Sequence, residues 1–224
     1  MSSHPPLEPP DTHCFAAAAG WLGLGNPREA EVELDAIRAE FQQHPDVLDV
    51  RWVVCAGKDD WSAAVRVAQE LLDAAPNLPA GWLHRSYALR RLPEGGGVEA
   101  AWNALLPAYV QFPQEQIIPY NLSCYACQMG KLDEARDWFH RSLKMGDAPR
   151  LCDMALGDQD LEPLWPEIRK LGKAKARLAP RLLTLFFEAG TMGVRNSSLP
   201  PIALAPSPFP LRAVTRACAS APPQ

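Results

Sequence analysis

Four alanines set the register of this chain. Ala30, Ala64, Ala101 and Ala135 are separated by 34, 37 and 34 residues. Each follows a turn-forming position, Gly25, Asp59, Pro93 or Gly130, spaced by 34, 34 and 37 residues. The longer middle step is absorbed by the loop Pro93-Glu94-Gly95-Gly96-Gly97. A fixed period of this length is the signature of a stacked repeat, in which one supersecondary unit cannot bury its apolar face without a neighbour.

The residues after each alanine identify the unit. Leu34, Ala68, Leu105 and Phe139 lie four positions on, and Ile37, Leu71, Ala108 and Ser142 lie seven on. Positions i, i+4 and i+7 share a helix face, so each alanine opens a helix with an apolar stripe. A larger side chain at the alanine would overpack the contact with the preceding helix. The unit is clearest over residues 120–146, which read as two short amphipathic helices joined by a tight turn at Gly130.

The residues that open and close the units carry a family resemblance. Trp82 opens one unit and Tyr120-Asn121-Leu122 another; Gly130, Glu134, Ala135 and Phe139 follow in order; Pro76 and Pro113 close two second helices. In these the chain resembles the tetratricopeptide repeat family over residues 11–149, as four units. Trp21 and Cys55 stand where the family usually has Tyr, and Asp59 where it has the turn Gly. The resemblance implies an all-α, right-handed α-solenoid of about four helix–turn–helix repeats with C-terminal capping helices. It also implies a non-catalytic protein–protein interaction scaffold or adaptor, without a cofactor, that takes a peptide or partner helix in its concave groove.

Charge and composition narrow the partner class. Residues 1–170 carry 15 Lys and Arg against 25 Asp and Glu, whereas residues 171–224 carry 7 against one acid, Glu188. An acidic repeat body lacks the phosphate-neutralising face that a nucleic-acid binder needs. No run of eighteen or more apolar residues suggests a membrane span. The N-terminal MSSHPPLEPPDTH does not read as a signal peptide. Six irregularly spaced cysteines fit a reducing, cytoplasmic setting better than a disulfide framework.

Outside the repeats the expectations are coarser. Residues 1–10 are Pro-rich and expected to be flexible. Residues 150–170 read as a capping helix, Arg150–Gly157, followed by a turn and a short helix that folds Leu164, Trp165 and Ile168 onto the open end. Residues 171–224 form a basic, Pro-rich tail, partly disordered, with a short apolar stretch at 181–190.

The first helices of the units would line the concave face. Phe15, Val50, Val53, Leu83, His84, Tyr87, Arg90, Arg91, Tyr120, Asn121 and Cys124 lie away from the intra-unit contact and make up the candidate partner-binding groove. Arg90 and Arg91 are either solvated charges or partners for an acidic group. Family members that grip chaperone C-termini use a Lys, Asn and Arg clamp; here only Asn121 falls at a matching place. The Asp59-Asp60 pair reads as a helix cap rather than as catalytic or metal-binding acids. Cys124 and Cys127 lack the second ligand pair that zinc requires and read as packing residues. The five histidines are scattered and no catalytic or metal-ligating constellation is evident. Two other readings are a peptide-holding subunit of an enzyme complex and a membrane-surface tether acting through the basic tail.

Overall fold

The computed structural model describes residues 5–171, and every regular element among them is helical. Four antiparallel pairs follow one another: α1 (Asp11–Gly23) with α2 (Pro27–Asp35), α3 (Pro45–Gly57) with α4 (Trp61–Ala74), α5 (Pro79–Arg91) with α6 (Val98–Gln111), and α7 (Ile117–Gln128) with α8 (Leu132–Ser142). Each second helix also packs on the first helix of the next pair, and α3 touches both α1 and α5. A ninth helix, α9 (Ala148–Leu156), leads into a 3-10 segment, Gln159–Leu164, and residues 165–171 are again helical. The basic tail and its apolar stretch lie outside the described residues.

The turns explain the period. Gly25, Asp59 and Gly130 all adopt left-handed backbone, at φ of +73°, +56° and +75°. At each, the next residue's N–H reaches back five positions: Asn26 to Trp21 O, Asp60 to Cys55 O and Lys131 to Ala126 O, at 2.9–3.0 Å. This is the Schellman helix end, which favours Gly and tolerates Asp only at some cost. The third unit departs from it. Leu92 leaves α5 in extended backbone, and Gly97 N–H closes on Leu89 O only after the longer loop. There Pro93 does not serve as the turn residue; Gly95 and Gly97 carry the positive φ.

Starts are equally local. Pro27, Pro45 and Pro79 each begin a helix, where a missing N–H costs nothing. Asn26, Asp60 and Asp147 cap α2, α4 and α9 through their side-chain oxygens. The expected Asp59-Asp60 cap is thus divided between a turn residue and a capping residue.

All four register alanines are fully buried, as are Leu34, Ala68, Leu105 and Ala108. The core runs as three clusters in chain order, the last and largest extending from Ala101 through α7 and α8 to Ile168. The N-terminal end is tied more firmly than its prolines suggest. Helix α1 starts at Asp11, whose buried carboxylate accepts from Arg38 N–H at 2.8 Å and Arg38 Nε at 2.7 Å. Leu7, within the stretch expected to be flexible, packs on the first cluster.

Candidate functional site

The first-helix side chains divide into a covered half and a half-open one. The covered half lies on α7. Tyr120 and Cys124, expected on the open groove, are buried beneath the 3-10 segment that follows α9. Tyr120 Oη donates to Asp158 Oδ2 at 2.9 Å, and the Cys124 thiol points at the same oxygen at 3.6 Å. Burial pushes the Cys124 thiol well above its ordinary range, with the Asp158 charge adding to it. Burial likewise raises the Tyr120 phenol and pushes Tyr125 up to about 12.

Arg90 completes this closure from two units away. Its guanidinium forks onto Asp160, with Nη2 2.6 Å from Oδ1 and Nη1 on Oδ2. Burial opposes the charged guanidinium, but the hydrogen-bonded carboxylate outweighs it and holds Arg90 above the ordinary arginine value. Gln128 Nε2 donates to Asp160 O at 3.3 Å. Leu161 and Leu164 of this segment and Ile168 just after it are buried, and Trp165, expected to fold back with Leu164 and Ile168, is half-buried. A contact between α5 and the 3-10 segment passes over α7, so the C-terminal part of the strip is filled by the chain itself. Arg90 is therefore neither a solvated charge nor a free anchor.

The half-open part lies on α3, α4 and α5. Trp52 stacks flat on His84, with centroids 3.9 Å apart and planes within 4°. His84 Nε2 lies 2.6 Å from Asp49 Oδ1, which fixes the ring. Tyr87 meets Trp52 edge-on at 5.7 Å and Trp61 at 6.1 Å. The Arg91 guanidinium lies 3.5 Å from the Tyr87 ring centre and 5.4 Å from that of Trp61. Such rings hold the fork by cation–π attraction. Of the remaining expected groove residues, Phe15 and Val53 are half-buried packing positions on the first and second clusters, and Asn121 is half-buried on α7. The structure brings His84, Tyr87 and Arg91 together and separates them from Tyr120 and Cys124.

Asp158 and Asp160 were missed as site residues. Sequence offers no signal that an acid in a turn will pair with an arginine 70 residues earlier. The donor atoms of Cys124, Asp158 and Asp160 lie within 4.8 Å of one another. Arg90 spans one carboxylate, and Tyr120 and the thiol share the other, so the cluster forms a polar lock between α5, α7 and the C-terminal segment.

No family model matches the sequence, and no curated protein matches it. Among solved structures, the chain is similar to the crystal structure of MamA, with a TM-score of 0.53 and 13% identity. The match covers 61% of this chain and 78% of that one. The fold is a helical-repeat solenoid. At this identity the likeness carries the fold alone, an all-helical stack of hairpins. No helix among the described residues is long and apolar enough to cross a membrane.

Proposed function

We propose that the chain is a non-catalytic interaction scaffold of the tetratricopeptide type, and that it holds a protein or peptide partner along the half-open strip on α3 and α5. One observation carries this reading. His84, Tyr87, Trp61 and Arg91 form a continuous part-exposed aromatic and guanidinium surface, backed by the buried Trp52 ring. Tyr, Trp and Arg are the residues that concentrate binding energy at protein interfaces. The acidic body favours a protein partner over nucleic acid. Cys14, Cys55, Cys124, Cys127 and Cys152 are all free thiols, which supports a reducing, cytoplasmic setting.

The test is quantitative affinity capture from the native cell with wild type, Tyr87→Ala, and Val110→Ala on the far side of α6, where the side chain is 82% exposed. Partners that survive the Val110 change and drop out with the Tyr87 change support the groove. Equal recovery with all three proteins, each shown to be folded by circular dichroism, places the interaction elsewhere.

A further inference from the structure

The first helices of the later pairs are each closed on one side by the pair before. Val47 and Val54 of α3 share a cluster with Ala30, Leu34 and Ile37 of the preceding pair. First-helix positions recur at 34, 34 and 37 residues, so Val54 corresponds to Ala88 of α5 and Tyr125 of α7, all of them buried. Val47 corresponds to Gly81 and Ile118, buried likewise, and a Cβ added at Gly81 would lie 2.8 Å from Leu72 Cγ on α4. In α1 the same two positions are Gly20 and His13. Both are exposed, as is Ala16 between them, and a Cβ added at Gly20 meets nothing within 4 Å. Among the described residues no helix precedes α1, so the face that α3, α5 and α7 bury stands open. It also lacks charge: no Lys, Arg, Asp or Glu occurs from Thr12 to Pro27, and Leu24 at its end is exposed. An end unit that faces solvent needs a polar outer face.

We propose that residues 181–190 of a second copy, RLLTLFFEAG, dock on this open face of α1 and join copies head to tail. The inference goes beyond the scaffold reading and does not depend on it. The segment lies outside the described residues, and its sequence suits the site. Leu182, Phe186 and Ala189 stand at i, i+4 and i+7, the spacing at which the second helices carry their apolar stripe. Pro180 stands just ahead, as prolines do at α2, α3 and α5. Its large apolar side chains would meet small ones on α1, where Ala16 and Gly20 leave room for a close approach. Charge agrees: Lys173, Lys175, Arg177 and Arg181 lead into the segment, whereas residues 27–75, next along the row from α1, carry 11 acids against 5 bases. Length favours a second copy over the chain's own tail. Leu171 packs on the last cluster. The far side of α1 lies about four helix spacings away, roughly 32–40 Å at about 8–10 Å each. The stretch from Leu171 to Arg181 spans at most about 33–36 Å when fully drawn out.

Sedimentation velocity of the full chain, from about 1 to about 100 μM, reads the association. The average mass should rise with concentration. Gly20→Arg and Phe186→Asp should each raise the concentration of half-association at least about tenfold, because each forces a charge into an apolar contact. Asn103→Arg adds the same charge on an exposed position of α6 and should change nothing. The sharpest arm is a mixture. A Gly20→Arg chain still offers its tail and a Phe186→Asp chain still offers its α1 face, so the two together should form a dimer and stop there, as a heterologous contact requires. Circular dichroism checks the fold of each variant, and Ala16→Arg takes the place of Gly20→Arg if that spectrum changes. A wild type that stays monomeric at about 100 μM, variants that associate like the wild type, or a mixture that does not pair overturns the proposal. A monomer that becomes less compact with either variant places the tail on its own α1 and overturns the assignment to a second copy.

Discussion

Replacing Asp160 by Asn removes one charge and almost no volume, and so isolates the lock between α5 and the C-terminal segment. In the wild type both side chains are mostly shielded, Arg90 at 19% and Asp160 at 17% exposure. The pair is bidentate, and Arg90 has no second carboxylate among the described residues. Removing one partner of a fully buried pair costs roughly 3–5 kcal/mol, because the remaining charge is left without compensation. Partial exposure brings the expected cost here to about 2–3 kcal/mol, between that limit and the fraction of a kilocalorie typical of surface pairs. For a domain of this size that is a melting-point loss of roughly 4–12 °C. Arg90→Met removes the stranded charge, so Asp160→Asn in that background should cost less than about 1 kcal/mol. The cycle is read by urea unfolding followed through far-UV circular dichroism. Because a solenoid unfolds from its ends, native-state hydrogen exchange should show the loss concentrated in α7 and α9, with α1 to α4 unchanged. If the single Asp160 change costs under about 0.5 kcal/mol and the two changes are additive, the pair is an ordinary surface contact and the closure argument fails.

Three further outcomes follow from the same geometry. Asp59→Val should destabilise by about 1–2 kcal/mol and Asp59→Gly should be neutral or slightly stabilising, since only the first raises the cost of the left-handed turn; chemical unfolding distinguishes them. Ala135→Leu should cost about 1–3 kcal/mol by overpacking the α7–α8 contact, whereas Ala19→Leu on an exposed face of α1 should stay within about 0.5 kcal/mol. The Arg38 backbone N–H holds the Asp11 carboxyl below its ordinary value of 3.8. Its contribution is therefore present above that pH and is lost as pH falls through the lower folded value. Asp11→Asn should flatten the acid limb of the stability–pH curve and leave its slope at neutral pH unchanged.

The repeat was legible because its determinants are local. A turn at Gly25, Asp59 or Gly130, an alanine five residues later and an apolar residue four beyond that all act within one helical hairpin, and spacing alone exposes them. The third turn was misplaced because Pro93 stands at the right interval, while the left-handed backbone moved to Gly95 and Gly97 in a longer loop. The candidate groove was only half legible. His84, Tyr87 and Arg91 share α5 and follow from helix geometry. Tyr120 and Cys124 occupy equivalent first-helix positions on α7, and their burial depends on Asp158 and Asp160 folding back from beyond α9. Periodicity reports which face a residue occupies within its unit, not whether a later, non-repeating segment will cover that face. The flat stack of Trp52 on His84 is likewise a meeting of neighbouring units that neither helix announces alone.

One division organises this surface: a strip half-open over α5 and shut over α7. Thiol accessibility measures it directly, because the cysteines sample different depths. Cys14 is half-exposed, whereas Cys124 lies beneath the Asp158–Asp160 segment with 3% exposure. Maleimide labelling of the native chain, resolved by peptide mass, should modify Cys14 within minutes and leave Cys124 protected until the protein unfolds. Asp160→Asn should speed Cys124 labelling selectively, without changing that of Cys55 on α3. Cys124 reacting as fast as Cys14 in the wild type would mean that the C-terminal segment does not cover α7, and the division would be wrong.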